Sequence, residues 1–383
     1  MAKPYDLIVL GVGGMGASVV AHAAWSGLRT LGLEQYSLPH RRGSSHGFTR
    51  ILRLGLHEKP TYVPLVMRAV ELWKELGKKA GRPMFFQSGS LDVAPPESAI
   101  FKGSLAACQK HGIAHEVLDA KETQRRFPGI HPDPEMLTVH QPGSGFVLSD
   151  ASIEAHLNLA LAAGAELHGH ETALGWDSQG ELYSVQTDRG TYEARALVIT
   201  TGAWARKLLP NVPIKAERQV VGWFQPRQSP EFFTPARMPA WIVDSPALGH
   251  FYGLPIHSIP GFKLAKFVFG DVVDPGGELI PPQPQEEEVL RVFLRRYFPA
   301  ADGPVLTLAA MFFENTPDRA FIIDQAPGQP GVWLALGFSG HGYKYAPAIG
   351  ELMINLVRKG ESPFDLSPFK IARFAGAQAP PTT

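Results

Sequence analysis

Cysteine is almost absent: Cys108 is the single one in 383 residues. No disulfide can close within the chain, and no cysteine-based zinc site can be built. Charge of one sign is also lacking. The 36 basic residues balance 36 acidic ones, which leaves no surplus for nucleic acid, an anionic membrane or a polyanionic partner. No apolar run approaches the ~18 residues that a membrane-spanning helix needs, so no membrane partner is expected. The opening MAKPYDLIVLGVGGMG carries a lysine and an apolar run, but Asp6 and the glycines interrupt it and no small-residue cleavage site follows. It reads as a strand and its turn, and a cytoplasmic protein is expected. Neither H-E-x-x-H nor a two-histidine, one-carboxylate grouping is visible, so no metal is expected.

What the chain does have begins at residue 6. DLIVL is a short apolar run of the kind buried in a parallel sheet. Gly11-Val12-Gly13-Gly14-Met15-Gly16 follows as G-x-G-x-x-G, and an apolar helical pattern runs from Ala17 to Trp25 and stops at Gly27. A second strand, RTLGLE, ends in Glu34 beside Gln35. Glycines let the chain turn tightly and bring its amides to a pyrophosphate at a helix N-terminus, while the acid accepts hydrogen bonds from a ribose diol. A dinucleotide site is expected. The motif itself suits NAD and FAD equally. The later strand ARALVITTGAW, reaching Gly202 and Trp204, and the late return FIIDQAPGQPGVWLALGFSGHGYKY favour FAD.

GSSHGFTRILR (43–53) is ambiguous by itself. It fits G-x-S-x-G, but YSLPHRR before it is no buried strand, so the strained turn of a hydrolase nucleophile is not expected there. His46 alone does not make a metal site. Arg50 and Arg53 are three apart and would share one side of a helical turn. Their apolar neighbours Ile51, Leu52 and Leu54 place them in a partly buried segment, where guanidinium groups need anionic or hydrogen-bonding partners.

From about residue 4 to 370 the chain resembles the monomeric sarcosine oxidase and N-methyltryptophan oxidase family of FAD-dependent amine oxidases, within the D-amino acid oxidase-like superfamily. The resemblance is carried by GSSHGFTRILRLGLHEKPTYVPL, ERQVVGWF, FYGLP, GFKL, TPDRAFIID and GFSGHGYK, in that order. It implies that Arg53 and Lys344 take the substrate carboxylate, and that Arg50 lies against the flavin with His46 nearby, adding positive potential. Lys263 corresponds to the lysine with which the family activates oxygen, Tyr252 lines the pocket, and Glu58 covers it or balances the arginines. Ser44, Thr49, Met311, Gly337, Gly340, His341 and Gly342 join the glycine turn, Glu34, Gln35, Arg50, Gly202, Trp204 and Lys344 as the implied cofactor set.

Departures from the family pattern are equally specific. Met311 stands where the family commonly links FAD to a cysteine, so noncovalent FAD is expected. Phe267 and Phe313 replace a histidine and a tyrosine of the sarcosine pocket, which makes it more apolar and opens it to larger or cyclic secondary amino acids. The implied reaction oxidises the C–N bond of sarcosine or another secondary amino acid to an imine, with O2 as acceptor and hydrogen peroxide as product. For sarcosine, hydrolysis of the imine yields formaldehyde and glycine. Alternatives are another oxidase or dehydrogenase of the same fold, for pipecolate, proline, glycine or a D-amino acid, or a flavin-binding subunit without turnover.

The expected fold is α/β. A discontinuous Rossmann-type FAD-binding domain (1–85, 150–215 and 320–375) has a parallel sheet with helices on both faces. A mixed or antiparallel sheet (86–149 and 216–319) forms the substrate domain, the segment 376–383 is a mobile tail, and the protein is a monomer.

Overall fold

The computed structural model describes residues 3–267 and 270–375, so the segment expected as a tail lies outside the described residues. Strand β1 (Tyr5–Leu10) is buried at every position except Asp6 and pairs in parallel with β2 (Thr30–Leu33) on one side and with Thr191–Ile199 on the other. Helix α1 (Gly14–Trp25) connects β1 to β2 as a crossover. The glycines are sterically required where they stand. Gly11 has φ +86°, and a Cβ on Gly16 would lie 2.0 Å from the Gly11 carbonyl oxygen.

The sheet extends beyond β2 to Glu166–His168. On its other flank Thr191–Ile199 is shared, its first half pairing antiparallel with Leu182–Thr187 and its second half in parallel with Val332–Leu336. One face of the sheet, with Leu7, Val9, Ala196, Val198 and Ala335, packs on α1 and the helices Ser149–Ala162 and Ala346–Lys359. The other face was expected to carry helices too. It is covered instead by Tyr183 and Val185 of the antiparallel meander, by Ala205, and by Val212 and Ile214. The meander folds its own apolar residues over the sheet, which leaves no bare face for a second layer of long helices.

The second large sheet runs in the order Val305–Asn315, Lys215–Phe224, Phe262–Lys266, Gly249–Leu254, Ala240–Ser245, Ser90–Ala94, Leu137–Gln141 and Glu116–Asp119. Among the described residues its one parallel pair is Ala240–Ser245 with Ser90–Ala94. Helix Pro284–Tyr297 starts with a capping box between Gln283 and Glu286, and buries Phe293 against Trp241 and Phe251. A small third sheet joins Thr49–Leu52, Gly145–Leu148 and Phe85–Phe86. It is here that the segment holding Arg50 meets the rest of the molecule.

Candidate active site

A cleft with about 1350 Å³ of atom-free space, open solvent at its mouth included, runs along the C-terminal ends of β1, β2 and Thr191–Ile199. Of the residues expected to hold a cofactor, Gly11, Val12, Gly13, Gly14, Met15, Glu34, Gln35, Ser44, Arg50, Gly202, Trp204, Gly340 and Gly342 line it. Glu34 is buried at the end of β2, where its carboxylate accepts from the amides of Val12 (2.9 Å) and Tyr36 (3.0 Å). Burial alone would raise this carboxyl, but His40 and those two amides outweigh it and hold it below its ordinary value. Gly16, Thr49, Met311, Gly337, His341 and Lys344 are not among the lining residues. Gly16 instead lets α1 sit directly over the turn.

Arg50 and Arg53 do not share a helical turn. Thr49–Leu52 is a strand, held antiparallel to Gly145–Leu148, and a period of two sends positions three apart to opposite sides. Non-local pairing of β-branched Thr49 and Ile51 overrides the local helical option. Arg50 therefore turns to the cleft, donating to the carbonyls of Ser44, His46 and Thr49, with the Met311 sulfur 3.7 Å from its Nη2. Lys263 is 2% exposed, and its ammonium donates to the carbonyls of Gly47 (2.7 Å) and Thr49 (2.8 Å) below the Trp223 ring. Burial, with Arg50 close by, holds Lys263 well below the ordinary lysine range, and Asp150 pulls the other way. Burial and Arg50 also push His46 down to about 4.

Arg53, 3% exposed, donates to Glu58 Oε1 at 2.7 Å and to Asp92 Oδ2 at 3.4 Å. Lys344 Nζ lies 3.7 Å from the same Glu58 oxygen. Two cations thus bracket one carboxylate. Burial alone would raise Glu58, but Arg53, His57 and Lys344 hold it well below the usual carboxylate range. Burial pulls Lys344 down to about 8 despite Glu58.

Aromatic side chains stand nearby. Phe267 stacks on His250 with centroids 4.9 Å apart and lies 5.8 Å from Phe313. Phe313 rests on Gly340, where a Cβ would come within 2.5 Å of its ring. Half-buried Tyr252 pairs across strands with Ile242 and Ala265. His341 packs against Phe321 and Tyr62, and burial pushes it down to about 4. Gly337 takes φ +68° at the start of the turn that leads through Gly342 to Lys344.

The cleft also takes residues that the sequence did not single out. Ser45 accepts from the Gly14 amide at 3.2 Å, and Glu171–Ala173 line the cleft beyond Glu34. Thr201, Glu314 and Tyr343 line it too, Thr201 against Gly11, Glu314 against Gly202 and Tyr343 against Gly14. Ser45 had a signal, since it adjoins the basic segment. The loop at 171–173 had none, because it reaches the cleft only through pairing of Glu166–His168 with β2. Among the described residues no group of three or more His, Cys, Asp or Glu is placed to hold a metal ion, and no helix is long and apolar enough to cross a membrane.

The family model for FAD dependent oxidoreductases matches residues 6–356. The chain belongs to that family. Monomeric sarcosine oxidase of Streptomyces avermitilis is 39% identical over 99% of this chain and 100% of its own length. N-methyl-L-tryptophan oxidase of Salmonella dublin is 33% identical over 97% of this chain and 99% of its own. Among solved structures, L-proline dehydrogenase from P. horikoshii superposes with TM-score 0.86 at 21% identity, covering 99% of this chain and 100% of that one. NikD, an amino acid oxidase of nikkomycin biosynthesis, superposes with TM-score 0.84 at 23% identity, covering 96% and 98%. The protein is an FAD-dependent oxidoreductase.

The cleft fits the cofactor of this family on its own geometry. Any side chain at Gly11 or Gly16 would fill the turn, a buried carboxylate ends β2, and the Thr201 hydroxyl beside the turn is buried without a partner among the described residues. A polar ligand is what such a hydroxyl lacks.

Proposed function

We propose that this FAD-dependent oxidoreductase is an oxidase of secondary amino acids, N-methylated or cyclic, acting in the manner of its sarcosine oxidase relatives. The observation that carries this reading is the Glu58 carboxylate between Arg53 and Lys344. A site that brackets one carboxylate with a guanidinium and an ammonium has the charge to hold another. Substrate would bind by displacing Glu58 or sharing its partners. The neighbouring rings of Phe267 and Phe313 offer an apolar surface for the N-alkyl group or ring, which supports substrates bulkier than sarcosine.

Bound FAD supplies the two-electron acceptor that no side chain provides. The turn Gly11–Gly16 and Ser45 would hold its phosphates, Glu34 a ribose, and Arg50 would face its flavin half. The chain's own work is to bind the amino acid by its carboxylate, exclude water with aromatic side chains, and present the amine as a neutral base. The C–N single bond becomes C=N, two electrons and two protons leave, and O2 takes them up as hydrogen peroxide. Lys263 would provide the positive charge that favours electron transfer to oxygen. Water then hydrolyses the imine, to formaldehyde and glycine when the substrate is sarcosine. We also propose that FAD is held noncovalently. Met311 carries no thiol, and Cys108 is buried elsewhere, with its own thiol pushed up to about 12 by burial.

The test is an anaerobic visible spectrum of the purified protein, before and after sarcosine, proline or pipecolate. Bleaching by one of these, reversed by air with peroxide release, supports the reading and ranks the substrates. Bleaching that air does not reverse would favour a dehydrogenase. A flavin band indifferent to every amino acid tried would leave a flavin-binding subunit.

A further inference from the structure

Glu314 is a buried carboxylic acid that no side chain among the described residues answers. It lies near the end of strand Val305–Asn315, 7% exposed, and lines the cleft with Thr201, Gly202 and Phe338. Its Oε1 accepts one long hydrogen bond, 3.4 Å from the Phe338 amide, and its Oε2 has no partner among the described residues. That free oxygen stands 2.7 Å from where a Cβ would sit on Gly202. The Thr201 hydroxyl is buried and unpartnered next to it in sequence and on the same wall. Burial pushes the Glu314 carboxyl up to about 7 against the pull of the Phe338 amide, and no charged neighbour contributes.

Strand alternation explains the direction. Met311 and Phe313 face one way, while Phe312, packed on Trp204, and Glu314 face the other. Phe312 and Phe338 show that apolar residues fit this wall, so packing does not require an acid there. A half-satisfied buried carboxyl is costly until a partner arrives.

We infer that Glu314 is a cofactor-binding residue, whose Oε2 and the Thr201 hydroxyl hydrogen-bond the dinucleotide. The inference rests on the cleft being the FAD site. Glu314 stands against Gly202, next in sequence to Thr201, whose Cα is 2.8 Å from where a Cβ would sit on Gly11, and it shares the cleft with Phe313, Phe338 and Gly340. A protonated carboxyl both donates and accepts, which suits a partner rich in hydroxyl or carbonyl groups.

The test compares full-length wild type, Glu314→Gln, Glu314→Leu and Thr201→Val. It measures the FAD dissociation constant by flavin fluorescence and the melting temperature without FAD. Glu314→Leu should weaken FAD about tenfold while raising the melting temperature of the FAD-free protein. Glu314→Gln should stay within about threefold of wild type, and Thr201→Val should weaken FAD about threefold or more. A leucine variant with unchanged FAD affinity and a lower melting temperature would mean a structural acid and overturn the inference. If that variant does not fold, unchanged affinity in Thr201→Val overturns it. A wild type that binds no FAD would instead overturn the cofactor reading of the whole cleft.

Discussion

Arg53 donates to Glu58 at 2.7 Å, and the same carboxylate oxygen stands 3.7 Å from the Lys344 ammonium. The protein thus keeps one of its own carboxylates where the proposed substrate would place another. Glu58→Gln removes that competitor and should tighten a carboxylate inhibitor lacking an amine several-fold. Arg53→Met or Lys344→Met should weaken it by roughly 10- to 100-fold, the worth of a hydrogen bond to a charged group. Titration of the flavin spectrum reads both. Weaker binding in Glu58→Gln would mean that Glu58 serves to hold Arg53 in place.

Lys344 gives carboxylate binding a pH limit. Burial lowers its folded-state pKa to about 8, so it is charged below that pH and neutral above it. Affinity for an amine-free carboxylate inhibitor should therefore fall as pH rises through about 8. Lys344→Met should show no such fall. A wild-type profile flat to pH 10 would contradict the assignment.

Asp92 holds Arg53 from behind. It is fully buried, takes the Ser104 hydroxyl at 2.6 Å and the Gln141 amide at 3.1 Å, and lies 3.4 Å from Arg53. Burial keeps its carboxyl above the ordinary value even beside Arg53. Asp92→Asn should lower unfolding stability by about 1–3 kcal/mol and raise KM for the amino acid, leaving kcat within a few fold. An unchanged KM would show that Glu58 and His57, 2.7 and 3.0 Å from the guanidinium, suffice to position it.

Lys263 separates the two halves of the reaction. Lys263→Met should slow the step with oxygen by roughly 10²–10³-fold, the usual effect of losing one electrostatic stabiliser, and change the step with the amino acid only a few fold. Stopped-flow measurement of each step decides it. Equal slowing of both would make Lys263 a structural support for the carbonyls of Gly47 and Thr49.

Glu314 should mark the stability of the FAD-free protein. Its folded pKa is raised from 4.5 to about 7. Between these values the unfolded chain has already lost the proton that the folded one keeps, so stability falls as pH rises. The fall attributable to this group is about 3 kcal/mol, complete above pH 7. Denaturation at pH 4.5 and 7.5 should show it in wild type and not in Glu314→Gln.

Local chemistry alone determined the nucleotide half. β1, its glycine turn, α1 and Glu34 follow one another within residues 5–34, and each constrains the next through sterics and hydrogen bonds close in sequence. Only tertiary structure decided which way the charges of the candidate site point. Pairing with Gly145–Leu148 makes Thr49–Leu52 a strand and parts Arg50 from Arg53. The register that sets Lys263 opposite Trp223 and Leu254 buries it, while Lys266 nearby remains partly exposed. Asp92 reaches Arg53, and Glu314 reaches Gly202, across long stretches of folded chain. Those contacts depend on sheet register and on strands distant in sequence, and neither composition nor spacing encodes them locally.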